Sequence, residues 1–454
     1  MSSKSKNIKR LSALLLVAGL AIWVAARWHV WFGNAPEVEV DPFMAPAHVL
    51  LTFGDKDEMS RNVSWQCDTI IHPSWLELVS DGDTARVQAQ GEVFESRNGK
   101  AAYYVSRLRQ LKPDCRYRYR AVTGGNTSPW YEFQTHKPGR GHISFLFVGD
   151  VQDTIGGISN SLLLDAWSHH PEVEFLVCGG DLTERPANQY WNETFRTLDS
   201  IGQAIPILNV TGNHDYFKGI IQRLERRFPL VFSYFLDSKV GDNMVYTLNY
   251  GDAQFFVLDS NREFFYLWSQ RQWLKEQLQL SKAKWKILVL HHPLYSIKGG
   301  NNMVQRWLFD DLLRQYNVDL VLQGHEHAYA RMIGGEYKNG QPAVPVYTIS
   351  HCSPKNYRIN FDERFDKYGI SSRYYQTVSI GADTLVMATY DALTHALYDS
   401  LMVIASPESA HLVIDFGKDI PENMEFAPDQ NNKKDRKFAQ RIQEYVNRHP
   451  ERIK

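Results

Sequence analysis

The stretch Leu322-Gln-Gly-His325-Glu326-His327-Ala-Tyr329 follows the apolar run Val318-Asp-Leu-Val321. In an extended chain residues i and i+2 point to one face, so His325 and His327 can both reach a site at the strand's end while Glu326 points away. Two imidazoles so placed can serve as metal ligands, and Gly324 lets the backbone turn sharply just before them. Other polar clusters also fall directly after apolar runs. Asp150 and Gln152 follow Ile143–Val148, Asp181 follows Val173–Val177, Asn213-His214-Asp215 follows Ile205–Val210, and His291-His292 follows Lys286–Leu290. Singly, each has a plain structural reading: Asp150 or Asp181 as a turn carboxylate, Asn213 as a turn or cap residue, His292-Pro293 as a strand exit. Five strands that all end in Asp, Asn or His are not explained that way. Their mix of carboxylate, amide oxygen and imidazole suits borderline to hard divalent ions such as Zn, Fe, Mn or Ni, and not a thiolate site.

Such a set needs strands that end on one rim. The runs named above are nearly continuous in apolar residues, as expected when both faces of a sheet are covered. Helical stretches lie between them, for example Ser159–His169 and Ser269–Leu280. This predicts a layered α/β domain whose ligands bind outside the carboxyl ends of the strands. Further strands between Val346 and Val403, such as Val346–Ile349 and Thr384–Thr389, call for a second sheet. From Ala47 to about Thr135 the pattern is all β, with short strands at His48–Phe53, Arg61–Trp65, Ala102–Ser106 and Arg116–Val122, which predicts a small sandwich. There the alternation of Arg116, Arg118 and Arg120 with tyrosine reads as the solvated face of an antiparallel strand. Lys137-Pro-Gly-Arg-Gly141 is a linker, and Asn431–Lys454, charged with Phe438, Ile442, Tyr445 and Val446 interspersed, predicts a surface helix.

A chain of 454 residues has two domains as its natural expectation, and 50 basic against 51 acidic residues give no electrostatic case for a nucleic-acid scaffold role. Lys4, Lys6, Lys9 and Arg10 precede the apolar run Leu11–Ala26. The basic flank stays cytoplasmic, so the body is expected outside the cytoplasm, either released by cleavage after Val24-Ala25-Ala26 or tethered through an anchor with Trp23, Trp28 and Trp31 at the interface. Cys67 and Cys115 can pair in that compartment or remain buried thiols; Cys178 is core.

The ordered set Gly149-Asp150, Gly180-Asp181, Gly212-Asn213-His214-Asp215, His291 and Gly324-His325-Glu326-His327 resembles the calcineurin-like dinuclear metallophosphoesterases. The opening His48-Val-Leu-Leu-Thr-Phe-Gly, Val63-Ser-Trp, Leu111-Lys-Pro and Tyr117-Arg-Tyr-Arg are similar to the fibronectin-III-like domain of purple acid phosphatases, and His327-Ala-Tyr-Ala-Arg331 resembles the stretch after their last metal histidine. The resemblance implies an α+β multidomain chain: a signal peptide or signal anchor over 1–32, a β-sandwich over 44–136, a layered α/β/β/α metallophosphoesterase domain with two packed sheets over 141–405, and a C-terminal extension, helical, over 406–454. It assigns Asp150 and His327 to a first metal, Asn213, His291 and His325 to a second, and Asp181 to the bridge, with two divalent or trivalent ions of the Fe, Zn or Mn type. There are two departures. Glu184 stands where purple acid phosphatases carry a tyrosine, so neither purple colour nor a committed ferric site is expected. Gln152 stands where many relatives place a histidine, and supplies either a neutral oxygen to the first metal or support behind it.

Two ions about 3.5–4 Å apart make hydroxide available near neutral pH and clamp phosphoryl oxygens for in-line attack. His214 can then stabilise developing charge or protonate the leaving oxygen, with Asp215 orienting it. His292 is a weaker candidate for contact with substrate. The expected activity is hydrolysis of small phosphate esters, foremost monoesters. The alternatives are a phosphodiesterase or nucleotidase on the same centre and, from another class, a non-catalytic surface-binding protein.

Overall fold

The computed structural model describes residues 3–139, 141–219, 221–234, 240, 244–299, 302–336, 340–406 and 410–453. Arg140 of the linker and the side chains of Lys4, Lys6, Lys9 and Arg10 lie outside the described residues.

Alternation along single strands builds the C-terminal domain. In Ala253–Val257 and Trp285–Val289, the residues Phe255, Val257, Ile287 and Val289 enter an inner core, where Phe255 meets Phe145 and Phe175 with ring centroids 5.4 and 5.6 Å apart. Their neighbours Phe256, Leu258, Leu288 and Leu290 face the other way, against Leu267, Leu274, Leu308 and Leu312 of the helices Phe264–Leu280 and Met303–Gln315. A period of two with both faces covered is what makes these runs continuously apolar in the sequence.

The inner core lies between two groups of strands. One holds the parallel strands His142–Val148, Phe175–Cys178 and Ile207–Asn209, extended antiparallel by Tyr374–Gly381, Thr384–Asp391 and Leu397–Ile404. The other holds the parallel strands Ala253–Val257, Trp285–Val289, Leu320–Gln323 and Pro342–Ile349, with Tyr246–Tyr250 and Tyr329–Glu336 antiparallel beside them. Helices Ser159–His169 and Asn188–Thr197 pack on the first group through Leu162, Leu163, Trp191 and Phe195. The chain is thus a strand-rich N-terminal part followed by a mixed α/β domain.

In the sandwich, Leu51, Val63, Trp65, Tyr104, Tyr117 and Tyr119 form a core of their own. The strand Asp83–Glu95 serves both of its sheets, pairing first with Ser74–Ser80 and then with Lys100–Leu108. Arg116 and Arg118 are exposed while Tyr117 and Tyr119 are buried, the alternation of a half-solvated strand. Cys67 and Cys115 are separate buried thiols, so the fold takes the second of the two alternatives left open for them. The sandwich joins the C-terminal domain directly: Thr52 pairs with Ile207 in a parallel bridge, Tyr119 Oη donates to the Gln203 carbonyl at 2.7 Å, and Ser64 Oγ donates to the Val231 carbonyl at 2.7 Å.

Beyond residue 405 the chain is not simply helical. The strand Leu412–Asp415 pairs with Leu397–Ile404 and continues the sheet. The helix Lys433–Arg448 follows, burying Phe438, Ile442 and Tyr445 at helical spacing. At the other end, the helix Ser3–Phe32 buries no residue of its apolar segment Leu14–Phe32 against the body. At 19 residues that segment is about 28 Å long, close to the thickness of a bilayer core.

Candidate metal centre

The strand ends converge. The carboxyl ends of His142–Val148, Phe175–Cys178 and Ile207–Asn209 come from one sheet group, and those of Trp285–Val289 and Leu320–Gln323 from the other. Ligand atoms of Asp181, His291 and His325 lie within 4.8 Å of one another. Asn213 Oδ1 sits 2.8 Å from His325 Nδ1 and 3.1 Å from His291 Nε2, and these two ring nitrogens are 3.3 Å apart. Asp181 Oδ2 is 3.2 Å from His291 Nε2. Nearby, Asp150 Oδ1 faces His327 Nε2 at 3.4 Å, and Asp150 Oδ2 accepts the backbone N–H of His325. Gln152 is buried beside them, its backbone N–H donating to the Asp181 carbonyl at 3.1 Å.

Backbone conformation makes this crowding possible. Asp150, Asp181 and His325 hold φ of 41°, 52° and 71°, a region costly for residues with a Cβ, and strain at such positions persists only where surrounding structure enforces it. Gly180, at φ 93°, leaves room for His291, since a Cβ there would stand 2.6 Å from His291 Nδ1. A Cβ on Gly212 would collide with the Asp181 carboxylate.

The donor set fits metal ions. Asp150 Oδ1 and both amide atoms of Gln152 are buried without a hydrogen-bond partner among the described residues, a costly state for groups with nothing else to bind. His291 Nδ1 lies 2.8 Å from the Gly179 carbonyl, which assigns the proton to Nδ1 and leaves the Nε2 lone pair facing Asn213 and Asp181. His327 Nδ1 is likewise 3.2 Å from the Lys355 carbonyl, with Nε2 toward Asp150. Burial alone would raise the Asp181 carboxyl, but His291 and His214 hold it well below the usual range. Burial opposes charge on His291, yet Asp181 outweighs it and raises the imidazole to about 9, so beside Asp181 the Nε2 position calls for a positive charge, which a metal ion would supply in place of a second proton. Burial drives His325 far down, with His292 and His291 adding to it.

The neighbours sort differently from expectation. His214 donates its backbone N–H to Asp181 Oδ1 at 2.8 Å, and its Nδ1 bonds the Glu184 carbonyl. Asp215 instead accepts the Gly212 N–H at 2.7 Å, and burial together with Asp181 raises its carboxyl well above the ordinary range. The group that orients His214 is therefore a backbone carbonyl and not Asp215, which braces the Gly212 turn. His292 packs on His325 with centroids 4.3 Å apart and pairs with Ser260 Oγ at 3.0 Å; burial and His291 lower it to about 3, so it stays neutral. Glu184 binds Lys355 Nζ at 2.6 Å.

Three further residues border the centre. His351 is buried 5.9 Å from His327 between ring centroids, with no well-formed hydrogen bond to either ring nitrogen among the described residues. It follows the strand Pro342–Ile349, so the same strand-end rule could have found it. Tyr357 stacks on His327 at 4.4 Å, and Lys298 Nζ lies 4.0 Å over the Tyr357 ring. Both sit on loops, where no periodicity marks them. Beside the centre, a cavity of about 260 Å³ is lined by Asn213, His214, Tyr216, Arg185, Lys218 and Asn34, among others.

Residues 143–329 match the calcineurin-like phosphoesterase model, and residues 46–135 match the purple acid phosphatase N-terminal domain. The chain is 25% identical over 397 residues to a phosphoenolpyruvate phosphatase of Allium cepa, covering 78% of each protein. It is 24% identical over 308 residues to the Fe(3+)-Zn(2+) purple acid phosphatase 12 of Arabidopsis thaliana, covering 63% of this chain and 65% of that one. The structure of purple acid phosphatase PPD1 from yellow lupin (Lupinus luteus) seeds shares the fold, with a TM-score of 0.66 and 17% identity over 79% of this chain and 74% of that one. Residues 143–329 thus form a calcineurin-like phosphoesterase domain, the domain of metal-dependent phosphoric ester hydrolases. Ahead of it the chain carries a purple acid phosphatase N-terminal domain, and along much of its length it is similar to purple acid phosphatases.

Proposed function

We propose that the chain hydrolyses small phosphate monoesters outside the cytoplasm, at the cluster around Asp181. The observation that carries this reading is the meeting of Asp181, His291 and His325 within 4.8 Å. Asp150, Gln152 and His327 would hold one ion and Asn213, His291 and His325 the other, with the Asp181 carboxylate available to both. Bound there, the pair supplies Lewis acidity and a nucleophile at neutral pH. The protein's own groups do the rest. The Gly179 and Lys355 carbonyls fix the tautomers of His291 and His327. His214, with Nδ1–H held on the Glu184 carbonyl, presents Nε2–H to the leaving oxygen and gives up that proton as the ester bond breaks. Arg185 and Lys218 line the cavity and favour an anionic group there.

With Glu184 tied to Lys355 in place of a phenolate, the first site is a carboxylate, amide and imidazole site, suited to Zn, Mn or Fe(II). The basic residues ahead of the apolar segment Leu14–Phe32 support a body on the far side of the membrane, and the length of that segment supports a tether through this helix. The test is metal analysis of the purified chain with turnover of para-nitrophenyl phosphate and of bis(para-nitrophenyl) phosphate. Two ions per chain and faster monoester turnover are expected. A chain without bound metal and without turnover refutes the assignment, and diester preference would move it to the phosphodiesterases.

A further inference from the structure

We propose that the mouth of the catalytic cavity is a bilayer-docking face, and that the substrates are phosphate monoesters carried by lipid headgroups at the membrane surface. The inference rests on the hydrolase reading above and adds where that hydrolase works and on what.

The first observation is a short, fixed connection. The apolar helix ends at Phe32, and Asn34 is already part of the cavity wall with Asn213 and His214. Two residues reach at most about 7 Å. Asn34 exchanges a pair of hydrogen bonds with the Lys218 backbone, at 2.9 and 3.1 Å. Glu37 then accepts from the backbone N–H of Asn188 at 3.0 Å and of Arg97 at 2.8 Å, and Gln189 donates to the Pro36 carbonyl at 2.7 Å. The strap is thus clamped to both domains, and the membrane end of the helix is held beside the cavity.

The second observation is an exposed apolar wedge on the same rim. Phe264, Phe265 and Trp268 open the helix Phe264–Leu280, and Met303 and Trp307 open Met303–Gln315. Phe265 is 82% exposed, Met303 72% and Trp307 64%. Phe264, Trp268 and Trp307 stack on one another with centroids 6.2–6.4 Å apart, so the patch is continuous. It is close to the chemistry: Asn261 Nδ2 donates to the Thr211 carbonyl at 2.9 Å, Gln305 Nε2 to the Ser260 carbonyl at 3.2 Å, and Ser260 pairs with His292. Contiguous exposed apolar surface marks an interaction site, and Trp and Phe beside a membrane-spanning helix have the composition of an interfacial anchor. The third observation is charge. Arg185 and Lys218 in the cavity, and Lys298 over the Tyr357 ring that stacks on His327, complement an anionic headgroup. At that face water adds to phosphorus and the P–O bond to the lipid alcohol breaks. The alcohol leaves with a proton from His214, one water proton restores His214, and inorganic phosphate is released.

The test uses the full chain with its metals, reconstituted in phosphatidylcholine vesicles containing phosphatidic acid, with para-nitrophenyl phosphate as the soluble comparison. The double variant Phe265→Ser, Trp307→Ser should lower phosphate release from vesicle phosphatidic acid by at least about tenfold, because two large apolar side chains no longer enter the interface. Its para-nitrophenyl phosphate turnover should stay within about twofold, as for other exposed substitutions. Equal rates on the lipid for wild type and variant overturn the docking face. Turnover of para-nitrophenyl phosphate without any release from phosphatidic acid overturns the lipid assignment and leaves the hydrolase reading intact, whereas inactivity on both is a failure of that reading. A nitroxide on Phe265→Cys tests the face independently of catalysis: relaxation by oxygen and not by an aqueous nickel chelate is expected. Relaxation by the chelate, or protection from both agents with a doubled particle mass, means water or a protein partner covers the wedge and refutes the proposal.

Discussion

His48 makes the junction between the two domains sensitive to acid. Its ring stacks on Phe195 of the catalytic half with centroids 3.8 Å apart, and Nδ1 faces Gln66 Oε1 at 3.2 Å. Burial pulls the imidazole from 6.5 down to about 4; the hydrogen bond to Gln66 resists, Arg227 adds to the lowering, and Asp41 opposes it. In the unfolded chain His48 titrates near 6.5. Between pH 6.5 and about 4 the unfolded state therefore binds a proton that the folded state refuses, and stability falls as pH falls through that window. Above it the ring is neutral in both states and contributes nothing. At about 1.4 kcal/mol for each pH unit, the loss is bounded at roughly 3 kcal/mol, reduced by the ring's partial exposure. The assay is urea unfolding of the detergent-solubilised full chain and of His48→Phe, from above neutrality down to about pH 4. The variant keeps the stacking and removes the titration, so its stability relative to wild type should rise as pH drops, by up to about 3 kcal/mol. Parallel curves for the two proteins would refute the reasoning.

Asn213→Ala removes the oxygen that sits between His291 and His325, and should lower turnover by roughly two to three orders of magnitude along with metal content, read by kinetics and elemental analysis. Glu184→Tyr should give the iron-loaded protein a visible absorption band that the iron-loaded wild type lacks, read by absorption spectroscopy. Arg331 is fully buried and bonds Asp399 at 2.7 and 3.1 Å and Asp415 at 2.8 Å. Asp399→Asn should therefore cost about 3 kcal/mol or more, read by chemical unfolding, because it leaves a buried guanidinium poorly compensated.

The parts of the site legible in the sequence were those set by strand periodicity. A buried strand announces itself by its unbroken apolar run, and the polar residue after it must stand at the rim, which is why Asp150, Asp181, Asn213, His291, His325 and His327 could be named. The helix Ser159–His169 was legible for the same reason. Illegible were contacts made by groups that every residue carries: the Glu184 carbonyl that orients His214, and the Gly179 and Lys355 carbonyls behind the ligating histidines. Lys298 and Tyr357 arrive on loops whose paths are set by tertiary packing. The helix expected from Ser269 begins at Phe264, because its first turns carry exposed aromatic residues and so break the amphipathic pattern on which the boundary was judged. Strand starts also moved, Val173 giving way to Phe175, since hydrogen-bond pairing and not hydropathy decides where a strand begins.

The bridge between Thr52 and Ile207 means that the sandwich borders the catalytic sheet edge to edge. Deleting the first domain would strip the Ile207–Asn209 strand of its neighbour on that side, leave Val231 and Gln203 carbonyls without their donors, and expose a bare margin open to pairing with other chains. The first hundred residues of the body thus act as a permanent selvedge for the enzyme, and truncated forms are expected to aggregate before they can be assayed.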